Sequence, residues 1–178
     1  MKKHIAAGDA MSHGLTMNTA MQDSITAPAF TYDIICADAA GSEKWRERIH
    51  NTVMTAGKND MLDKYFKGTA YTAAWYLGLC GSGSISASDT LASHAGWSEV
   101  TPYTGNRSAI TFGTTSSGSN TATAVNVIIN ATATVAGAFI ASVSSGTSGI
   151  LYSAASFAAT RSVASGDTLS VTPTVSVL

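Results

Sequence analysis

The sequence predicts a mainly β protein: an antiparallel β-sandwich or jelly roll preceded by an extended N-terminal arm, a β-hairpin and one short helix. Three observations carry this. Many short apolar runs alternate with polar residues at period two, Gly/Ser-rich turns separate them, and no helical crossover pattern lies between them. That combination excludes a parallel α/β sheet and leaves the two-layer antiparallel architectures.

Three segments follow: 1–28 as arm, 29–67 as hairpin plus helix, and 68–178 as sandwich. The arm is polar, shows no regular helical or strand periodicity, and has only scattered apolar residues. These are chiefly Ile5, Leu15, Met17, Met21 and Ile25, with Met11 besides. Such a stretch buries too little to offset the roughly 1–2 kcal/mol per residue lost on ordering, so it is expected to need a partner. Those five side chains are the expected partner contacts, anchoring an extended strand to a neighbouring surface. Flexible methionines suit irregular pockets.

In 29–67, Phe30, Tyr32, Ile34 and Cys36 alternate with Thr31, Asp33 and Ile35, which reads as a strand. Asp38-Ala39-Ala40-Gly41 supplies a turn, and Trp45, Glu47 and Ile49 a return strand, although Trp45, Ile49 and Val53 also fit a helical spacing. Asn51 or Thr52 is expected to cap a helix with Val53, Ala56, Met61, Leu62, Tyr65 and Phe66 on its apolar face. Gly57 weakens its middle and Gly68 ends it.

Beyond Gly68 every element reads as strand: Tyr71–Leu79, Ser108–Phe112, Ala122–Asn130, Thr134–Val143 and Thr168–Val177. Val125, Val127 and Ile129 are expected on one face, and so are Val135, Phe139 and Val143. In the strand near the end of the sequence Leu169, Val171, Val175 and Val177 oppose Ser170, Thr172, Thr174 and Ser176. Pro173 lacks an N–H, so this strand is expected at an edge or with a bulge. Trp75 and Leu77 are expected in the core.

Charge is scarce and uneven. Charged residues make up 12%, about half the usual share, with a net charge of −1. Residues 1–67 hold eight of the ten basic and eight of the eleven acidic residues, leaving Arg107, Arg161, Asp89, Glu99 and Asp167 for the β part. No electrostatic case arises for nucleic acid or an anionic membrane. The basic cluster Lys44, Arg46, Arg48, Lys58, Lys64 and Lys67 is interleaved with Glu43, Glu47, Asp60 and Asp63, which reads as ion-paired.

No catalytic or cofactor motif emerges. His4, His13, His50 and His94 lack metal-ligand spacing, and Cys36 and Cys80 form no C-x-x-C pair, so they read as buried free thiols. His94, Asp89 and any of many serines spell a hydrolase triad by letters alone, without a Gly-x-Ser-x-Gly elbow; His94 and Trp97 read instead as packing a loop. Asp89 and Asp167, each before Thr-Leu, read as turn carboxylates rather than a glycosidase pair. Gly81-Ser82-Gly83 lacks the Lys-Ser/Thr ending of a phosphate loop. The chain is thus expected to be non-enzymatic, without cofactor or metal. The Met-Lys-Lys start lacks the apolar run of a signal peptide, and no stretch is long enough to span a bilayer, so cytoplasmic synthesis and a soluble product are expected.

Several stretches go beyond composition. His50-Asn51-Thr52-Val53 and Gly57-Lys58-Asn59-Asp60-Met61-Leu62-Asp63-Lys64-Tyr65-Phe66-Lys67-Gly68 lead into Tyr71-Thr72-Ala73-Ala74-Trp75-Tyr76-Leu77-Gly78-Leu79. Ala92-Ser93-His94-Ala95-Gly96-Trp97-Ser98-Glu99, Gly149-Ile150-Leu151-Tyr152-Ser153 and Ser165-Gly166-Asp167-Thr168-Leu169 follow. Together, over roughly residues 30–178, they resemble a family of small virion proteins of usually unassigned role, encoded in tailed-bacteriophage genomes often close to capsid genes. The resemblance implies a capsid decoration or cement protein on the virion surface, homo-oligomeric, contacting the major capsid protein and neighbouring copies of itself. Two other readings stand beside it: a tail or head fibre component binding host glycans through a loop with Trp97 and Tyr103, and a wall-degrading hydrolase.

Overall fold

The computed structural model describes residues 28–71 and 73–177. The arm positions Ile5, Leu15, Met17, Met21 and Ile25 lie outside the described residues.

Among the described residues, eleven strands and one helix follow in order: β1 (Ala29–Ala37), β2 (Glu43–His50), β3 (Thr52–Val53), α1 (Thr55–Phe66), β4 (Trp75–Cys80), β5 (Glu99–Val100), β6 (Ser108–Ile110), β7 (Ser119–Thr121), β8 (Val125–Ile128), β9 (Ala133–Ala141), β10 (Leu151–Val163) and β11 (Thr168–Ser176). They form two antiparallel sheets. The first runs β2-β1-β11-β7 with β8 also on β11; the second runs β3-β10-β9-β4-β5 with β6 also on β4. The fold class is as the alternation predicts.

The β1–β2 hairpin forms as its turn chemistry requires. Asp38 Oδ1 accepts from Ala40 N and Ser42 N at 2.9 and 2.8 Å, and Gly41 takes φ +83°, where a side chain would be strained. The hairpin is not a separate unit from the sandwich. β1 pairs with β11 along its whole length, from Ala29↔Ser176 to Ala37↔Thr168, so a boundary at residue 67 divides one sheet.

The principal core lies between the sheets. Phe30, Tyr32, Ile34, Cys36, Val125, Val127, Ile129, Leu169 and Val171 face Leu77, Leu79, Ala138, Ile140, Ala155 and Phe157. The Tyr32 hydroxyl and Ser153 Oγ share a hydrogen bond of 2.5 Å across it. Burial pushes the phenol's pKa far up, so it stays neutral there. A second core cluster, Met54, Cys80, Leu91, Trp97, Phe139, Ala141, Leu151 and Ala154, lies beneath the segment joining β4 to β5. Val135 and Phe139 therefore belong to different clusters and do not share a face, contrary to simple alternation. The change of face coincides with an irregularity in the β9–β10 ladder, where the pairing jumps from Ser156↔Gly137 to Arg161↔Val135 and the extra residues lie in β10.

Other expectations change too. β10, the longest strand, was not legible as a strand at all. β11 is interior rather than an edge. It pairs with β8 through Val171 and with β7 from Thr174, and Pro173 sits at the handover. Ala122 N donates to Pro173 O at 2.8 Å. N and O of one strand residue face the same edge, so the missing donor points at the β8–β7 junction, where no ladder bond is lost. Asn51 does not cap α1; its Oδ1 accepts from Phe30 N at 2.7 Å, and the N-cap is Met54 without a side-chain bond. On α1, Leu62, Tyr65 and Phe66 are exposed rather than packed. Gly68, at φ +65°, follows the helix end as expected. Leu77 is buried, but Trp75 only partly.

Candidate functional site

One end of the sandwich is open, and a trough runs across it. β1, β4 and β10 begin there and β6 and β11 end there, so Phe30, Trp75, Tyr152, Ile110 and Val175 meet at its walls. Three of these rings form an edge-on ladder, Phe30–Tyr152 at 5.6 Å and Tyr152–Trp75 at 4.9 Å between centroids. Such contacts are each worth about 0.5–1.5 kcal/mol beyond burial, which fixes the floor. The trough encloses about 520 Å³ and continues into a second space of about 300 Å³ under α1. Tyr71, Trp75 and Tyr152 line both, and Met61, Lys64 and Tyr65 of α1 close the second.

Gly57, which composition marks as a weak point, sets the helix against this floor. A Cβ there would lie 2.7 Å from the Tyr152 carbonyl oxygen, so only glycine allows the approach. Beyond the trough α1 presents apolar area to solvent: Tyr65 is 81%, Phe66 75% and Leu62 49% exposed, beside Tyr71 at 54%. Isolated exposed apolar residues are ordinary, whereas these four lie together beside an aromatic trough. Several of the trough's polar groups are engaged, while the buried Asn120 Oδ1 has no partner among the described residues. Trp75 Nε1 donates to Tyr71 Oη at 3.1 Å, and Lys64 Nζ donates to the Ala70 carbonyl at 2.6 Å. Asn120 donates through Nδ2 to Gly113 O and Thr115 Oγ1. Burial, with Asp60 and Tyr71 nearby, pushes the Tyr152 phenol up to about 12, so it does not ionise near neutrality.

The charged residues of the β part are all held by partners. Arg107 forms a bidentate pair with Glu99 at 2.8 and 2.7 Å, donates to the Val143 and Gly146 carbonyls, and lies 5.3 Å from the centroid of Phe139. Arg161 donates to Glu47 at 3.1 Å and lies over Trp45. Asp167 accepts from Lys44 Nζ at 2.5 Å and from Ala164 N at 2.8 Å. Burial alone would raise its pKa, but the Lys44 ammonium and the Ala164 N–H together hold it below the usual carboxylate range. Asp89 Oδ2 accepts from Trp97 Nε1 and Ser86 N, each at 2.9 Å.

The letters of a hydrolase triad do not assemble into a relay. His94 stacks on Trp97 at 4.2 Å with its Nδ1 3.1 Å from the Trp97 carbonyl, and Asp89 serves Trp97. His94 and Trp97 thus pack the segment before β5 onto Phe139, as read from sequence. Asp89 and Asp167 both accept backbone N–H groups at turns, also as read. Trp97 and Tyr103, the aromatic pair assigned to glycans, are both buried and offer no stacking face. Among the described residues, no group of three or more His, Cys, Asp or Glu is placed to hold a metal ion, and no helix is long and apolar enough to cross a membrane. Cys36 and Cys80 are buried free thiols.

The basic cluster of β2 and α1 is largely paired. Lys44 meets Asp167, Arg46 meets Glu43, Arg48 meets Asp33, Lys64 meets Asp60 and Lys67 meets Asp63. Sequence reasoning placed α1's aromatic residues in the core and so missed the trough and its exposed rim. The available signal was the crowding of Tyr65, Phe66, Tyr71, Trp75 and Tyr76 around a glycine that ends a helix. The chain matches no protein-family model, no curated protein and no solved structure.

Proposed function

We propose that this chain is a non-enzymatic structural virion protein of a tailed bacteriophage, a decoration or cement subunit. It is made in the host cytoplasm and binds the outer capsid through its arm and β domain. One observation carries the reading: the contiguous exposed apolar face of Leu62, Tyr65, Phe66 and Tyr71 beside an aromatic trough. A surface of this kind stabilises association by burial, at about 25 cal/mol per Å² of apolar area removed from water. Around it the β part offers mainly Ser, Thr, Gly and Ala, because its charges are held by internal partners. Small side chains lose little rotamer entropy when covered. An interface of about 1,600 Å², repeated around a capsid lattice, then gives retention beyond any single contact. The partners in this reading are the major capsid protein and neighbouring copies. Pairing of the basic cluster leaves no strong field for nucleic acid.

The glycan-binding fibre reading loses its two aromatic contacts to burial, and the hydrolase reading loses its His94–Asp89 pairing. Quantitative mass spectrometry of purified particles tests the proposal. Hundreds of copies per particle are expected; a few dozen or fewer would indicate a tail or fibre part, and absence from particles would overturn a virion role.

A further inference from the structure

The trough and the origin of the N-terminal segment lie at the same place. Phe30 and Val175, which face each other in the β1–β11 register, both line the trough, and β1 begins at Ala29. Residues 1–27 therefore join the described fold at the trough's lip. That segment carries Leu15, Met17, Met21 and Ile25 at odd positions, which share one face of an extended chain although Thr19 and Asp23 interrupt the series. We propose that the trough is a socket for the N-terminal segment of a second copy, seating the apolar side chains between Leu15 and Ile25 against Tyr71, Trp75 and Tyr152.

Most of the trough's lining side chains are aromatic or aliphatic, with Thr111 and Asn120 among them, and the Trp75 indole N–H and the Lys64 ammonium are engaged with their own chain. The trough therefore suits aliphatic and thioether side chains better than a sugar, whose hydroxyls need free partners. Counted from Ala29, an extended chain carries Ile25 up to about 14 Å and Leu15 up to about 50 Å, enough to enter the socket of a copy set close against the lip. Because each copy's segment departs from the lip of its own socket, two copies set lip to lip can exchange segments reciprocally about a two-fold axis. That geometry closes the assembly without leaving a socket open. The same contact would cover the exposed α1 face.

This socket deepens the reading of the chain as a surface-assembling protein and rests on it, but its test uses purified full-length protein in solution, whereas the capsid role is tested on particles. One population carries Met17→Cys and another Ala73→Cys, an exposed residue on the trough wall; the native Cys36 and Cys80 are buried. Mixed and treated with a short bis-maleimide, they should form a crosslinked heterodimer at least fivefold faster than Met17→Cys mixed with Asn126→Cys, an exposed control on the first sheet. Adding Thr111→Glu, exposed on the trough wall, to the Ala73→Cys chain should remove most of that advantage. Light scattering of the unmodified chain should show a concentration-dependent dimer. Equal rates at trough and control would overturn the socket. So would a strictly monomeric chain at tens of micromolar, or crosslinks confined to single chains carrying both cysteines, which would make the occupant the chain's own segment.

Discussion

Removing the Glu99 carboxylate should strand the most deeply buried cation of the described fold. The Arg107 side chain is 4% exposed and that of Glu99 24%. Glu99→Ala takes away the acceptor of Nε and one of the two acceptors of Nη2, leaving the Val143 and Gly146 carbonyls and the Phe139 ring to hold a full positive charge. Breaking a buried pair from one side costs about 3–5 kcal/mol. Water can reach the vacated carboxylate position, because Glu99 was partly exposed, so the expected loss is at the lower end, about 3 kcal/mol. With a urea slope of about 2 kcal/mol per molar, the unfolding midpoint should fall by about 1.5 M. Glu99→Gln keeps an acceptor oxygen and should cost about 1–2 kcal/mol. The double change Arg107→Met with Glu99→Leu removes both charges and should recover much of the Glu99→Ala loss, since apolar replacement of a whole buried pair is often nearly neutral. Urea unfolding followed by tryptophan fluorescence reads all three. A Glu99→Ala loss below about 1 kcal/mol, or one abolished by 1 M salt, would mean the pair behaves as a screened surface pair and the burial argument is wrong.

Asp167 has a depressed pKa, so its contribution is present above the usual carboxylate range and is lost as pH falls through the lowered folded value. The urea midpoint should therefore drop from pH 5 towards pH 3 with a smaller slope in Asp167→Asn, and parallel slopes would refute the assignment. Gly78→Ala places a Cβ 2.2 Å from the Phe139 ring, which is fully buried and packed by Trp97. A loss of about 1–3 kcal/mol is expected, partly recovered by adding Phe139→Leu; no recovery would point to backbone strain instead. Burial, with Asp167 beside it, pushes the Cys36 thiol up to about 11, and burial raises Cys80 further. Neither should react with a thiol reagent at pH 8 until the protein unfolds, and rapid labelling of the native state would contradict the core assignment. Phe66→Ser should leave stability within about 0.5 kcal/mol yet hasten dissociation from particles, as read by surface plasmon resonance. A large fall in melting temperature would show that the α1 face is part of the fold's own packing.

Much of the fold could be read from local chemistry. The β1–β2 hairpin announces itself through Asp38 and Gly41, and β8 and β11 through strict alternation. β10 does not, because both faces of its first half are covered: Leu151 through Ala155 are all buried, and Ala and Ser there carry little strand preference. Periodicity also cannot say which apolar face meets a partner within the chain, which is why Tyr65 and Phe66 were placed inside. The Arg107–Glu99 pair joins two loop-flanking positions eight residues apart, beyond any helix or strand rule. Its signal was compositional: in a segment with five charges, a deeply seated arginine needs a carboxylate. Pro173 escapes the edge rule because that rule assumes one continuous neighbour, whereas β11 changes neighbours at that residue.

The β1–β11 ladder has a consequence for how the molecule is made. These strands lie at opposite ends of the described chain yet sit side by side in the first sheet, with Cys36 opposite Leu169 and Tyr32 opposite Pro173. Until a ribosome has released β11, β1 has only β2 beside it, and a two-stranded ribbon is marginal in water. The nascent chain must therefore carry Phe30, Tyr32 and Ile34 uncovered through most of its synthesis, and ring closure over such a span slows folding. A message cut short before Thr168 would yield not a smaller sandwich but an unpaired strand, a ready target for chaperones and proteases.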